Sequence, residues 1–91
     1  MEGKASRKVK DGKLVRVEAV YNEVFDEVRI TGDFFLQPPE ALNELEKSIE
    51  GMEVESSERD FIEALQDVEA ELVGFSREEI AECVMEVVDD V

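Results

Sequence analysis

The stretch Arg29-Ile30-Thr31-Gly32-Asp33-Phe34-Phe35, which runs on to Pro38-Pro39, decides the fold of this chain. Val28, Ile30 and Gly32 alternate with Arg29 and Thr31, the period of a strand with one buried face. Just upstream, Val15, Val17, Ala19 and Tyr21 alternate in the same way with Leu14, Arg16, Glu18 and Val20, and Asn22-Glu23 offers a turn. So short a connection makes the two strands an antiparallel hairpin. Gly32 at the strand exit marks a bulge, or a point where another backbone comes close. Beyond it, Pro38 restricts Gln37 to extended geometry, and Pro39 suits the first turn of a helix, where no amide partner is missed.

Downstream, the period changes to helical. Leu42, Leu45 and Ile49, with Ala41 beside them, form one apolar face, while Glu40, Asn43, Glu44, Glu46 and Lys47 face water and Gly51 supplies a left-handed stop. Met52 to Glu55 alternates briefly, which allows a short third strand. Ser57 with Asp60 is a capping signal for a second helix, whose stripe Phe61, Leu65, Val68 and Leu72, widened by Ile62 and Val73, ends before Gly74. A third helix has Ser76 as cap, Glu79 reaching back and Phe75 placed to pack on Ile80; Ile80, Val84, Val87, Val88 and Val91 carry its apolar face. The expected class is α+β: a small antiparallel sheet with three helices packed on one face. Residues 1–7 are polar and are expected to be a flexible basic arm ahead of a single domain, 8–91.

Ninety-one residues make one domain with a small core, and 43% apolar residues are too many for a disordered acidic tail. The net charge of −15 is unevenly spread: residues 1–16 hold six cations against Glu2 and Asp11, a balance of +4, which leaves −19 for the other 75 residues. Such a body repels nucleic acid and anionic membrane, so the basic start reads as a local anion contact. A salt-rich cytoplasm would favour an acidic surface, yet it would not explain where the basic residues fall. The chain has no apolar run of membrane-spanning length and no signal-peptide pattern, so the cytoplasm is the expected location. With one cysteine and no histidine, a zinc or iron-sulfur site has no ligand set; carboxylate sites for magnesium or calcium stay open.

Three places bear on function. In Gly32-Asp33-Phe34-Phe35, adjacent aromatics of an extended segment cannot both point inward, so one is left for a partner; the alternative is a purely structural turn with both rings anchoring a loop. Lys8, Lys10, Gly12 and Lys13 are either a solvated lead into a strand or ammonium groups that neutralise a phosphate held by another chain. Cys83 lies between Ile80 and Val84 with no histidine to activate it, which makes it a core residue rather than a nucleophile. No catalytic residue is assigned within the chain. Phosphate-binding glycine loops, a nucleophile elbow and nucleic-acid motifs are absent from the sequence.

Lys8-Val9-Lys10-Asp11-Gly12-Lys13-Leu14 taken with Arg29-Ile30-Thr31-Gly32-Asp33-Phe34-Phe35 resembles the accessory, C-terminal domain of lipoate-protein ligases, which in many archaea is a separate small subunit. The resemblance covers the chain from about Lys8 onward. It implies a larger catalytic subunit as partner, with ATP, Mg and lipoate in the complex and none bound by this chain alone. That subunit makes lipoyl-AMP and then transfers the acyl group to a lysine of a lipoyl-domain acceptor protein. In that setting Lys8, Gly12 and Lys13 are expected on the phosphate side, and Gly32, Asp33, Phe34 and Phe35 at the docking edge. The family architecture also resembles the fold of iron-sulfur scaffold and sulfur-transfer helpers. That alternative needs a thiol at the strand exit, where this chain has Gly32-Asp33-Phe34. A non-enzymatic acidic interaction module is the remaining alternative.

Overall fold

The computed structural model describes residues 1–8 and 13–89. In chain order the elements are β1 (Glu2–Lys8), β2 (Leu14–Tyr21), β3 (Phe25–Gly32), β4 (Phe35–Gln37), α1 (Ala41–Ile49), α2 (Glu58–Gln66), β5 (Glu71–Val73) and α3 (Arg77–Asp89). β1, β2 and β3 form an antiparallel sheet in that order, and β4 pairs antiparallel with β5 in a separate ladder. α3 packs on β1 and β2, α1 packs on β3, and α2 bridges the two helices. The class is α+β, as the alternation and helical stripes predict.

The hairpin follows the expected parity. Val15, Val17, Ala19, Tyr21, Phe25, Val28 and Ile30 are buried under the helices, while Arg16, Glu18, Glu27, Arg29 and Thr31 face outward. A register shift between Val20 and Tyr21 keeps Tyr21 and Phe25 on the core side despite the turn. Tyr21, Phe25 and Phe61 pack in sequence at centroid distances of 6.0 and 5.8 Å, joining the sheet to α2.

Four expectations are corrected. Residues 1–7 are not a loose arm: Glu2 to Lys8 pair with β2 in unbroken register from Glu2↔Val20 to Lys8↔Leu14. The strand carries small residues inward because α3 lies close over it. A Cβ on Gly3 would come within 2.6 Å of the Val87 carbonyl oxygen, so only glycine fits beneath the helix.

The 52–55 segment is not a strand. It makes an isolated bridge, Val24↔Glu53, and its backbone is taken up by the start of β3, with Phe25 N–H donating to the Met52 carbonyl at 3.0 Å.

The second helix stops at Gln66, well before Gly74, and Leu72 and Val73 belong to β5. Its start is as predicted, with Ser57 and Asp60 in a reciprocal capping box. Its end is set from a distance: the Arg77 guanidinium donates to the carbonyls of Leu65 (3.1 Å), Val68 (2.8 Å) and Ala70 (3.1 Å). A helix terminus leaves carbonyls unpaired, and a cation there satisfies both their hydrogen bonds and the dipole.

Glu46, expected in water, instead serves the sheet. The outward amides of β3 at Val28 and Ile30 donate to Glu50 Oε2 (3.0 Å) and Glu46 Oε2 (2.7 Å) of α1. Residues spaced i and i+4 on a helix face meet amides spaced i and i+2 along a strand, so two adjacent turns of α1 seal this edge.

Candidate interaction edge

The expected site residues meet where β2 begins and β3 ends. Gly32 has φ 151° and passes so close to the Leu14 carbonyl that a Cβ would collide with it, while Asp33 N–H donates to that same carbonyl at 2.8 Å. This contact is the close backbone approach that a glycine at the strand exit allows. It pins the exit of β3 to the entry of β2.

From that pin the aromatic pair divides. Phe34 turns in and stacks on Phe75, with centroids 4.1 Å apart and planes 27° from parallel. Phe35, the first residue of β4, is 73% exposed and sits opposite Val73 of β5, itself 50% exposed. Two large apolar side chains therefore stand side by side in solvent on one short ladder. Val73 was missed because its spacing fits the helical stripe before it; only the pairing with Phe35 gives it a place at this edge.

Lys13 joins the group from the other side. Its side chain runs past Gly74 (φ 92°), where a Cβ would lie 3.5 Å from its Cδ and 3.6 Å from its Nζ. Gly74 separates Val73 from Phe75, so the ammonium lies beside the residue that follows the apolar pair in the chain. Lys8 reaches the same end of the sheet, opposite Leu14, but on the outward face, whereas Lys13 lies on the helix side. Gly12 and Lys10 fall outside the described residues. The structure thus joins Lys13, Gly32, Asp33, Phe34 and Phe35, and it puts Lys8 around the edge of the strand from them.

Three arginines elsewhere are committed. Arg7 pairs with Glu82 at 2.7 Å and Glu86 at 3.2 Å, Arg59 pairs with Glu63, and Arg77 holds the end of α2. A shallow groove of about 740 Å³ crosses the outward sheet face between Lys4, Glu18 and Arg29 and the α1 residues Asn43, Glu46 and Glu50. Its lining mixes both signs of charge and includes none of the candidate residues.

Cys83 is fully buried in α3, and burial, reinforced by the nearby Glu86 carboxylate and opposed in part by Arg7, pushes its thiol up to about 11. A thiol held protonated in the core is a packing group. Among the described residues, no three or more acidic or cysteine side chains gather as a metal site, and no helix is long and apolar enough to cross a membrane.

The family model described as bacterial lipoate protein ligase C-terminus matches residues 2–84. The chain belongs to that family. Its match begins within β1, in keeping with a strand there rather than an arm. Among solved structures, a chain from an archaeal lipoylation system of Thermoplasma acidophilum, described as a bipartite lipoate protein ligase and its E2 lipoyl domain, superposes with a TM-score of 0.70. It is 24% identical, and the match covers 92% of this chain and 97% of that one. No curated protein matches this chain.

Proposed function

We propose that this chain is the accessory subunit of a two-component lipoate-protein ligase and is needed for activation of lipoate to lipoyl-AMP. The larger subunit holds ATP, magnesium and lipoate, makes the acyl-adenylate, and passes the lipoyl group to a lysine of a lipoyl-domain acceptor. The observation that carries this reading is Lys13 set beside Gly74, the next residue along the chain from the exposed Phe35–Val73 pair, on an otherwise anionic chain of the lipoate-ligase C-terminal family. On this reading the single domain takes in β1 (Glu2–Lys8) as its integral first strand, so it starts ahead of the expected boundary at residue 8.

In the activation step the lipoate carboxylate attacks the α-phosphorus of ATP, and pyrophosphate leaves with the charge. A fixed ammonium near the leaving group favours that charge shift, more so where docking excludes water. Lys13 and, around the strand edge, Lys8 supply the cations; Gly12 lets the chain come close; Gly32, Asp33, Phe34 and Phe35 form the docking edge. The apolar pair gives adhesion and the lysine gives chemistry at its rim.

The sulfur-transfer alternative, and the scaffold-type fold that went with it, finds no support in Cys83, which is buried in α3 and held protonated, whereas the strand exit carries Gly32-Asp33-Phe34. A stand-alone acidic interaction module would bind without changing any reaction.

The test is reconstitution with the larger subunit and measurement of lipoate-dependent pyrophosphate release. Activation is expected only with both chains present, and Lys13→Ala is expected to lower the rate at saturating subunit while leaving binding nearly unchanged. Full activation by the larger subunit alone would reject the proposal; unchanged release by Lys13→Ala would reject the role of that lysine.

A further inference from the structure

The two edges of the main sheet are treated in opposite ways. On β3, Glu46 and Glu50 accept the amides of Ile30 and Val28, and the Gly51–Met52 backbone takes both polar groups of Phe25. On β1 no comparable cover exists among the described residues. Met1 and Tyr21 exchange both backbone bonds, each at 2.7 Å, and antiparallel pairs alternate, so Gly3, Ala5 and Arg7 bond to β2. Glu2, Lys4, Ser6 and Lys8 therefore turn their amides and carbonyls outward, and none of these groups finds a protein partner among the described residues. The strand has no proline and its register with β2 has no bulge. An edge this long and regular is a template for another strand.

We propose that the outer edge of β1 is a strand-pairing site for an extended segment of the catalytic subunit. This rests on the reading that the chain works with a separate catalytic subunit. Charge selects the occupant. The side chains of Glu2, Lys4, Ser6 and Lys8 stand in a row on the outward face, so a segment with acidic residues opposite Lys4 and Lys8 gains cross-strand ion pairs, while a basic strand is disfavoured there. On the other face Gly3 and Ala5 are small and Arg7 is held by Glu82 and Glu86, so the incoming strand meets no unpaired charge there. A second copy fits less well: antiparallel pairing about Ala5 sets Glu2 against Lys8 but lays two acidic α3 helices side by side, in chains of −15 each. Lys8, at the end of this edge, adjoins the end of the sheet that carries Lys13 and Phe35, so one partner can span both surfaces.

The test is residue-resolved amide exchange of the full chain, alone and bound to the catalytic subunit. Alone, Gly3, Ala5 and Arg7 exchange slowly and Lys4, Ser6 and Lys8 exchange fast; in the complex the second set slows by about tenfold or more, as newly bonded amides do. Ser6→Pro removes one outward N–H and leaves the β1–β2 bonds intact, so it is expected to weaken binding about tenfold, the equivalent of one lost hydrogen bond, while Ser6→Ala stays near wild type. A complex that forms with Lys4, Ser6 and Lys8 still exchanging fast overturns the edge assignment alone. Slow exchange of these amides in the chain by itself, with a dimer mass, assigns the edge to a second copy and also overturns it. Failure of the wild-type chain to bind the catalytic subunit at all overturns both this and the two-component reading.

Discussion

Replacing Phe35 with alanine separates docking from folding. The ring is 73% exposed, so its removal takes almost nothing from the core. Full burial of a phenylalanine side chain contributes about 1.5–3 kcal/mol, and since roughly three-quarters of this one remains to be covered, docking over it should contribute about 1–2 kcal/mol. That corresponds to about a 5- to 30-fold weaker complex. Titration calorimetry with the catalytic subunit measures the affinity, and urea unfolding of the isolated chain measures stability. Phe35→Ala should shift only the first. Phe34→Ala, which breaks the stack on Phe75, should lower stability by about 1 kcal/mol or more as well, since it removes a half-buried ring and an aromatic pair. Unchanged affinity for Phe35→Ala, or a stability loss equal to that of Phe34→Ala, would refute the division of the two rings into an inner and an outer role.

Other outcomes follow from the fold. Glu46→Ala leaves the Ile30 amide without its acceptor and should cost about 1–3 kcal/mol in urea unfolding; an exposed neighbour such as Glu44→Ala should cost little, and equal effects would contradict the edge seal. Cys83 gives a pH signature. Its thiol pKa is raised from 9.0 to about 11, so the neutral form is favoured in the fold. That stability is complete below about pH 9 and is lost as pH rises towards 11. Wild type should therefore lose more stability than Cys83→Ala between these limits, by up to about 3 kcal/mol, and parallel curves in thermal unfolding would refute the burial of the thiol.

The β2–β3 hairpin and the starts of α2 and α3 were legible because each rests on local signals: apolar alternation, and Ser57 or Ser76 placed three residues before an acid. At α3 the Glu79 amide does donate to Ser76 Oγ at 3.2 Å, and the hydroxyl donates in turn to the Glu79 carboxylate at 3.0 Å. β1 was invisible because its inward positions, Gly3, Ala5 and Arg7, are small or charged; a helix packed this close leaves no room for the valines that would have announced a strand. The end of α2 was misread because Val68 and Leu72 continue its spacing, and the residue that stops it, Arg77, lies nine positions or more downstream of two of the carbonyls it holds. Likewise no periodicity shows that Glu46 will leave the solvent side for a strand amide. At the candidate edge, the split between Phe34 and Phe35 was readable from their adjacency in an extended segment. Val73 was not, since its meaning arises only from pairing across a long excursion of chain.

The stack of Phe34 on Phe75 also fixes how the neighbouring ring is presented. With its inner neighbour clamped and Gly32 tied to the Leu14 carbonyl, Phe35 stands on a mount that has little freedom left to lose. An incoming surface then meets a peg already in its working posture, and the entropy that ordering would have taken from the encounter has been surrendered during folding instead.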